Sequence, residues 1–364
     1  MYKRELAAIR RSGRFRKREV YGNHLADFAS NDYLGFANNK RQIQKAFNLI
    51  KTYDSYTPKA SLLVNGYHSL HRYFESNLCN LNGFEDGIVV GSGFLANIAL
   101  IEGLVRKKDI LFMDKEYHAS GILAAKLIER SQVVTFKHND PDDLKRKMQK
   151  YPNATRKVVA IEGVYSMSGN IAKKEIIDIA NEHEALLIVD EAHSSGVIGD
   201  NLLGLFDYYN LTIRDNYIKM GTLGKAYGSY GAYILASSQI ISFLENRAKP
   251  IIYSTAPSLL DVALGIVNLK AINNKHQKLA KKIKKRQKIV YNKLGIKLDS
   301  LILPIPQSSN QQAVQNRELL IEEGFLVGAI RQPTVDKPIL RVIPRLGQSK
   351  QELKDMLDII RDLK

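Results

Sequence analysis

Six short apolar runs, each giving way to polar or small residues, recur between residues 86 and 224: DGIVVGSG, DILFMD, QVVTFKH, KVVAIEG, ALLIVDEAH and NYIKMGTL. Stretches of helical periodicity separate them. A buried strand reads as a continuous apolar run, and strands alternating with helices over this length predict an α/β fold with a mostly parallel, doubly wound sheet. In such sheets a ligand site lies beyond the carboxyl ends of the strands. The polar clusters of this chain all follow apolar runs, where that rule places a site.

The pattern predicts three parts. Residues 1–37 form an N-terminal arm, with a basic helix candidate in YKRELAAIRR and a short strand-like stretch before SNDYLGF. Residues 38–245 form the large domain. Residues 246–364 form a smaller C-terminal α+β domain: SLLDVALGIVNLKAI and KLAKKIKKRQKIVYNKLG read as amphipathic helices, then come short strands in KLDSLILPI, FLVGAI and ILRVIP, and a terminal helix in SKQELKDMLDIIRDLK.

Net charge decides less than it suggests. At +17 the surface attracts anions, from nucleic acid to an acidic protein to a phosphate-bearing small molecule. No zinc-finger spacing or RNP-type aromatic motif accompanies it, so nucleic acid is not the expected partner. The most apolar segment, 87–105, carries Ser92, Asn97, Glu102 and four glycines, which a membrane-spanning helix rarely does. The Arg-rich N-terminus faintly resembles a transit peptide, but Glu5 interrupts the bias, and a basic arm belonging to the fold is the expectation. A single cysteine, Cys79, excludes an internal disulfide framework, and a cytoplasmic protein is expected.

TLGKAYGSYGAY (222–233) sets Lys225 among glycines directly after a predicted strand. A lysine there either grips a phosphate or acts as a nucleophile. A Walker A loop fails at both ends, because Ala226 follows Lys225 and Lys219 stands five before Gly224. A lysine that binds pyridoxal phosphate needs an acid for the pyridine nitrogen. Asp190 supplies one, directly after the apolar run Leu186–Val189, with His193 three residues on and in reach of the ring's phenolic oxygen. A strand-end Asp alone is more often a turn residue. A metal reading of Asp190, Glu191 and His193 lacks a further ligand cluster, so no metal is expected. GSGFLAN (91–97) precedes a helix and offers backbone N–H groups to a phosphate, with the Thr222 hydroxyl as a further contact. His118 follows the run DILFMD and is the candidate to stack on the ring.

Nine segments in order, SNDYLGF (30–36), GSGFLAN (91–97), DKEYHAS (114–120), HND (138–140), EGVYSMSG (162–169), VDEAHSSGVIG (189–199), TLGKAYGSYGAY (222–233), IYSTAPS (252–258) and AIRQPTV (329–335), resemble those of the α-oxoamine synthases, fold-type I pyridoxal-phosphate enzymes. That family condenses an amino acid with an acyl thioester and releases carbon dioxide. The stretch AIRQPTVDKPILRV is most similar to the biotin-pathway branch, which implies L-alanine and a pimeloyl thioester, pimeloyl-CoA or pimeloyl-acyl carrier protein, as substrates. Rivals are a glycine-using member such as 2-amino-3-ketobutyrate ligase and, from another class, an inactive basic binding protein on the same fold. An aminotransferase is a weaker third, because HASG and EGVYSMSG point away from it.

The resemblance implies roles. Lys225 is the Schiff-base lysine and proton shuttle, Asp190 the pyridine-nitrogen partner and His118 the stacking ring. His193 and Ser166 flank the phenolic oxygen. Gly93, Phe94 and Thr222 hold the phosphate, and Thr255 reaches the phosphate of a neighbouring subunit, which implies a homodimer. Asn31 and Arg341 lie near the substrate carboxylate, and Arg16 is a candidate for the acyl substrate. One segment departs from the family: Leu62 and Leu63 in TPKASLLVNGY (57–67) replace a smaller or more polar pair, which bears on the acyl entrance. The lysine-rich stretch 275–288 is a candidate docking face for a carrier protein, or only the solvated side of an amphipathic helix, since Leu279 and Ile283 are spaced i, i+4.

Overall fold

The structure, a computed structural model, describes residues 1–363. Its strands, in chain order, are β1 (Ala26–Asp27), β2 (Asp86–Val90), β3 (Ile110–Asp114), β4 (Val133–Phe136), β5 (Lys157–Glu162), β6 (Leu186–Asp190), β7 (Tyr217–Thr222), β8 (Ala232–Ala236), β9 (Leu303–Pro306), β10 (Phe325–Leu326), β11 (Gly328–Ile330) and β12 (Ile339–Val342). β2 to β8 form one sheet in the order β2-β8-β7-β6-β5-β3-β4. The neighbours from β7 through β4 run parallel, and β8 lies antiparallel to both β2 and β7. The six apolar runs of the sequence are β2 to β7. β8, in GAYILA, is a strand that sequence reasoning did not assign.

The chain divides into two units. One comprises Met1–Tyr33, Met167–Gly169 and the residues from Lys282 on; the other comprises Leu34–Ser166 and Asn170–Lys281. Residues 246–281 therefore group with the large sheet, and residues 1–33 group with the C-terminal strands.

In the sheet-bearing unit, β5 and β6 are apolar along their length because helices cover both faces of the sheet. One face buries Leu111, Met113, Val158, Ala160, Ile188, Ile218 and Met220 against the helix Gly93–Leu104, whose Ala96, Ala99, Leu100 and Leu104 are buried. Each fully buried Leu, Ile or Met side chain contributes about 1.5–3 kcal/mol. Ser92 caps that helix: its Oγ accepts the Leu95 N–H at 3.3 Å. Because four parallel strands share one polarity, their last residues, Asp114, Glu162, Asp190 and Thr222, line one edge of the sheet.

In the other unit, β11, β12 and β9 form an antiparallel sheet, and β1 pairs with β10 in parallel. The terminal helix Lys350–Asp362 begins with a capping box of Ser349 and Glu352 and buries Leu353, Met356, Leu357 and Ile360, a single helical face. The helix His276–Leu294 crosses the division between Lys281 and Lys282; along it Leu279, Ile283 and Val290 are buried, while Lys278, Lys281, Lys282, Lys284, Lys285 and Lys288 are exposed. Among the described residues no helix is long and apolar enough to cross a membrane.

Candidate active site

At the carboxyl edge of the large sheet, Asp190 ends β6 with 3% of its surface exposed. Its Oδ1 accepts the Ala192 N–H at 3.0 Å, and its Oδ2 accepts an N–H of the Asn97 side chain at 2.9 Å. Asp190 stands beside Met220 of β7 on one side and Glu162 of β5 on the other. β7 then leads through Thr222 into the turn that carries Lys225.

Lys225 Nζ lies 2.7 Å from His193 Nε2. Both residues sit on loops that follow neighbouring strands, and the loops touch. A Cβ placed on Gly196 would lie 2.5 Å from the Ala226 Cβ, and Gly196 has φ +83°, so only glycine lets the two loops approach this closely. Behind them, Glu191 and Lys219 form a buried ion pair at 3.8 Å, and Glu191 accepts the Leu205 N–H at 2.8 Å. These contacts pin both ends of the loop that bears His193.

His118 caps the helix Ala119–Ala124, with its Nδ1 accepting the Ser120 N–H at 3.3 Å. Its Nδ1 is also 2.6 Å from Ser120 Oγ. Burial lowers the His118 pKa below its ordinary value; the Asp190 charge opposes this and the Lys225 charge adds to it. The three groups therefore feel one another electrostatically. Ser166 is buried, and its N–H donates to Glu162 Oε2 at 2.9 Å.

The helix beginning at Gly93 closes its own ladder with Ala96 N–H to Ser92 O at 3.0 Å, which leaves the N–H groups of Gly93 and Phe94 outside that ladder. A Cβ added at Gly93 would meet nothing nearer than the Thr222 Cβ and Met220 Sδ at 3.9 Å; one at Gly224 would meet nothing nearer than the Ser229 carbonyl oxygen at 3.7 Å. The space beside Thr222 is thus open, walled by small residues and faced by a helix N-terminus, as an anion cradle requires. Thr222 Oγ1 itself donates to Gly231 O at 3.0 Å and accepts the Gly224 N–H at 3.3 Å. A cradle for an anion, an amine within reach of a histidine and a buried acid at the next strand end fit pyridoxal phosphate.

The other expected residues are Thr255, Arg341, Asn31 and Arg16. Thr255 is exposed and bridges to Ser61. In the other unit, Arg341 of β12 is buried and its Nη1 donates to Asn31 Oδ1 at 3.0 Å, so the two residues expected near a carboxylate stand together. Arg16 Nη2 donates to Thr334 Oγ1 at 3.2 Å.

Two residues beside Asp190 escaped the sequence reasoning. Asn97, 1% exposed, joins Asp190 to Ser120 and Tyr117. Glu162 is fully buried, and its Oε1 has no hydrogen-bond partner among the described residues. Burial, reinforced by the Asp190 charge, pushes the Glu162 carboxyl well above its usual range, against the opposing influence of Lys225 and the Ser166 N–H. The signal for Asn97 was present: one of two polar side chains, with Glu102, inside the otherwise apolar helix GFLANIALIEGL. Glu162 ends an apolar run, as Asp190 does.

The sequence model of the family described as aminotransferase class I and II matches residues 23–360. An 8-amino-7-oxononanoate synthase of Helicobacter pylori (strain ATCC 700392 / 26695) is 47% identical over 361 residues, spanning 99% of this chain and 96% of its own. The crystal structure of the 8-amino-7-oxononanoate synthase of Francisella tularensis superposes with a TM-score of 0.77 at 26% identity, covering 94% of this chain and 98% of that one. A serine palmitoyltransferase variant from S. paucimobilis, with bound PLP and myriocin, has the same fold, with a TM-score of 0.86 at 23% identity over 93% of this chain and 87% of that one. The chain belongs to the class I and II aminotransferase family with the fold-type I architecture, and is a pyridoxal-phosphate-dependent acyltransferase similar to the 8-amino-7-oxononanoate synthases.

Proposed function

We propose that the chain condenses L-alanine with a pimeloyl thioester, carried by coenzyme A or an acyl carrier protein, to give 8-amino-7-oxononanoate for biotin synthesis. The balance is one new carbon–carbon bond, with the alanine carboxylate leaving as carbon dioxide, the thioester C–S bond breaking and one proton taken up as the free thiol departs. The observation that carries the proposal is the contact of Lys225 with His193 beside the buried, Asn97-bonded Asp190, in a chain 47% identical to a relative of that name.

When bound, pyridoxal phosphate supplies an electron sink for charge developing at the amino-acid α-carbon. Lys225 is proposed to hold it covalently, Asp190 to pair with its ring nitrogen, and His118 to lie against the ring. His193 and Ser166 would flank its phenolic oxygen. The Gly93 and Phe94 N–H groups and Thr222 would hold its phosphate, and Thr255 of a second copy of the chain would complete that cup in a homodimer. Lys225 Nζ would serve as the base, removing the alanine α-proton and later returning one. His193 Nε2, at 2.7 Å, orients that amine. Arg341, held by Asn31, would pair with a substrate carboxylate, and Arg16 would serve the acyl substrate.

The test is product formation. Purified protein supplied with pyridoxal phosphate, L-alanine and pimeloyl-CoA, or its carrier-protein thioester, should give 8-amino-7-oxononanoate by mass spectrometry. Glycine should not replace alanine. Turnover with glycine alone moves the reading to a sister enzyme. No visible band with pyridoxal phosphate and no product from either amino acid overturn it.

A further inference from the structure

Asn97 lies between two side chains with different jobs. Its Nδ2 stands 2.9 Å from Asp190 Oδ2 and 2.9 Å from Ser120 Oγ, and its Oδ1 accepts the Tyr117 hydroxyl at 2.7 Å. Both of its N–H groups and its carbonyl oxygen are therefore spent, in a site where water does not reach: Asn97 and Ser120 are each 1% exposed and Tyr117 is 2% exposed. The direction of every hydrogen follows. The Asp190 carboxylate takes a donor, so the amide nitrogen of Asn97 faces it, and the amide oxygen then faces Tyr117. The second Asn97 N–H donates to Ser120 Oγ. With that oxygen occupied as an acceptor, the Ser120 O–H is left to donate, and His118 Nδ1 is its neighbour at 2.6 Å. The Ser120 backbone N–H converges on the same nitrogen at 3.3 Å. Two donors aimed at Nδ1 make it an acceptor, so the single ring proton of neutral His118 resides on Nε2.

We propose that Asn97 and Ser120 are positioning residues that form one hydrogen-bond relay, fixing the orientation of Asp190 and the Nε2–H tautomer of His118 together. The inference rests on the site reading above for its catalytic meaning, though not for its geometry. A neutral ring against the cofactor avoids adding a second cation beside a pyridine nitrogen that Asp190 is meant to keep protonated. The charged groups facing His118 are Asp190 and Lys225, and Glu162 also bears on Asp190. Because Asn97 holds both ends, the relay couples the acid beneath the ring to the histidine beside it. It also anchors both to the helix whose first residue, Gly93, opens the proposed phosphate cup.

The test reads the tautomer directly, without cofactor. In full-length protein labelled with ¹⁵N-histidine, long-range ¹H–¹⁵N correlation distinguishes the two ring nitrogens, and His118→Phe identifies the His118 signals. Wild type should show a single Nε2–H tautomer. Ser120→Ala should release it into a mixture, and Ser120→Thr, which keeps the hydroxyl, should restore it. Asn97→Leu should release it as well and, in the holoenzyme, also shift the pH dependence of the visible band and lower kcat by on the order of tenfold or more, as loss of a hydrogen-bond partner behind an active-site ligand does. Ser120→Ala, which leaves the Asp190 bond intact, should spare that pH dependence. A wild-type His118 protonated at Nδ1, or a tautomer unmoved by Ser120→Ala, overturns the relay. Failure of wild type to develop a visible band with pyridoxal phosphate overturns the proposed function instead, and the cofactor-free tautomer then decides the relay by itself.

Discussion

Lys225 Nζ lies 2.7 Å from His193 Nε2, although the two are 32 residues apart in the chain. Adjacent parallel strands, β6 and β7, end at one edge and deliver their following loops to the same place. Lys225→Ala removes the anchor and the proton-transferring amine together. Steady-state assays should show the condensation rate falling more than about 10³-fold, with thermal unfolding little changed because Lys225 is only partly buried. A variant within tenfold of wild type would refute the assignment of Lys225.

Asp190→Asn keeps the shape and removes the charge. The Asn side chain has one oxygen for two donors, the Ala192 N–H and an Asn97 N–H, so one donor loses its acceptor. That should cost about 1–3 kcal/mol of stability, a shift a denaturant titration resolves. Loss of the fixed charge should lower kcat by roughly 10²–10³-fold. Unchanged kcat with lowered stability would make Asp190 a structural strand-end residue.

Arg345, 4% exposed, ion-pairs with Asp27 and Asp32, and its Nε donates to the Asp32 carbonyl oxygen at 3.0 Å. This fork ties the end of the SNDY segment, next to Asn31, to the strand region after β12. Arg345→Met removes a buried guanidinium that pairs with both Asp27 and Asp32 and should destabilise the chain by about 3–5 kcal/mol. Arg345→Lys should lose less, since it keeps the charge but not the fork. Urea unfolding of the three full-length proteins gives the order, and equal midpoints for wild type and Arg345→Met would remove the ion pairs from the account.

The large sheet was legible because β3, β5, β6 and β7 are buried on both faces, so apolar content alone marks them. β8 was not, because GAYILA follows the glycine-rich turn after Lys225 directly, with no polar break or helix to set it apart as a run of its own. Asp190, Lys225 and His118 were legible as strand-end polar residues. Asn97 was not, because its meaning depends on Ser120 and Asp190, 23 and 93 residues away, which a helical pattern does not bring together. The two-unit division was also hidden. The amphipathic helix after Ser258 looks like the start of a new domain, yet it buries Leu259, Val262, Ile266 and Leu269 within the sheet-bearing unit.

Glu75 supplies a pH test independent of catalysis. It is 5% exposed; its Oε1 accepts the Val89 N–H at 2.8 Å and its Oε2 meets the Tyr67 hydroxyl at 2.5 Å. Burial raises its pKa from 4.5 to about 7, against the Tyr67 and Val89 hydrogen bonds and with help from the Asp86 and Glu245 charges. Between those values the folded chain retains a proton that the unfolded chain has released. By linkage, Glu75's contribution is most favourable below pH 4.5, declines as pH rises and levels off above pH 7. The interval corresponds to about 3 kcal/mol. Glu75→Gln mimics the protonated form, since its oxygen still accepts from Val89 and its amide N–H faces the Tyr67 oxygen. It should match wild-type stability near pH 4.5, and become the more stable protein by up to about 3 kcal/mol by pH 8. Denaturant midpoints of the pair across that range decide it: curves that stay parallel would mean Glu75 ionises in the folded chain as freely as in the unfolded one.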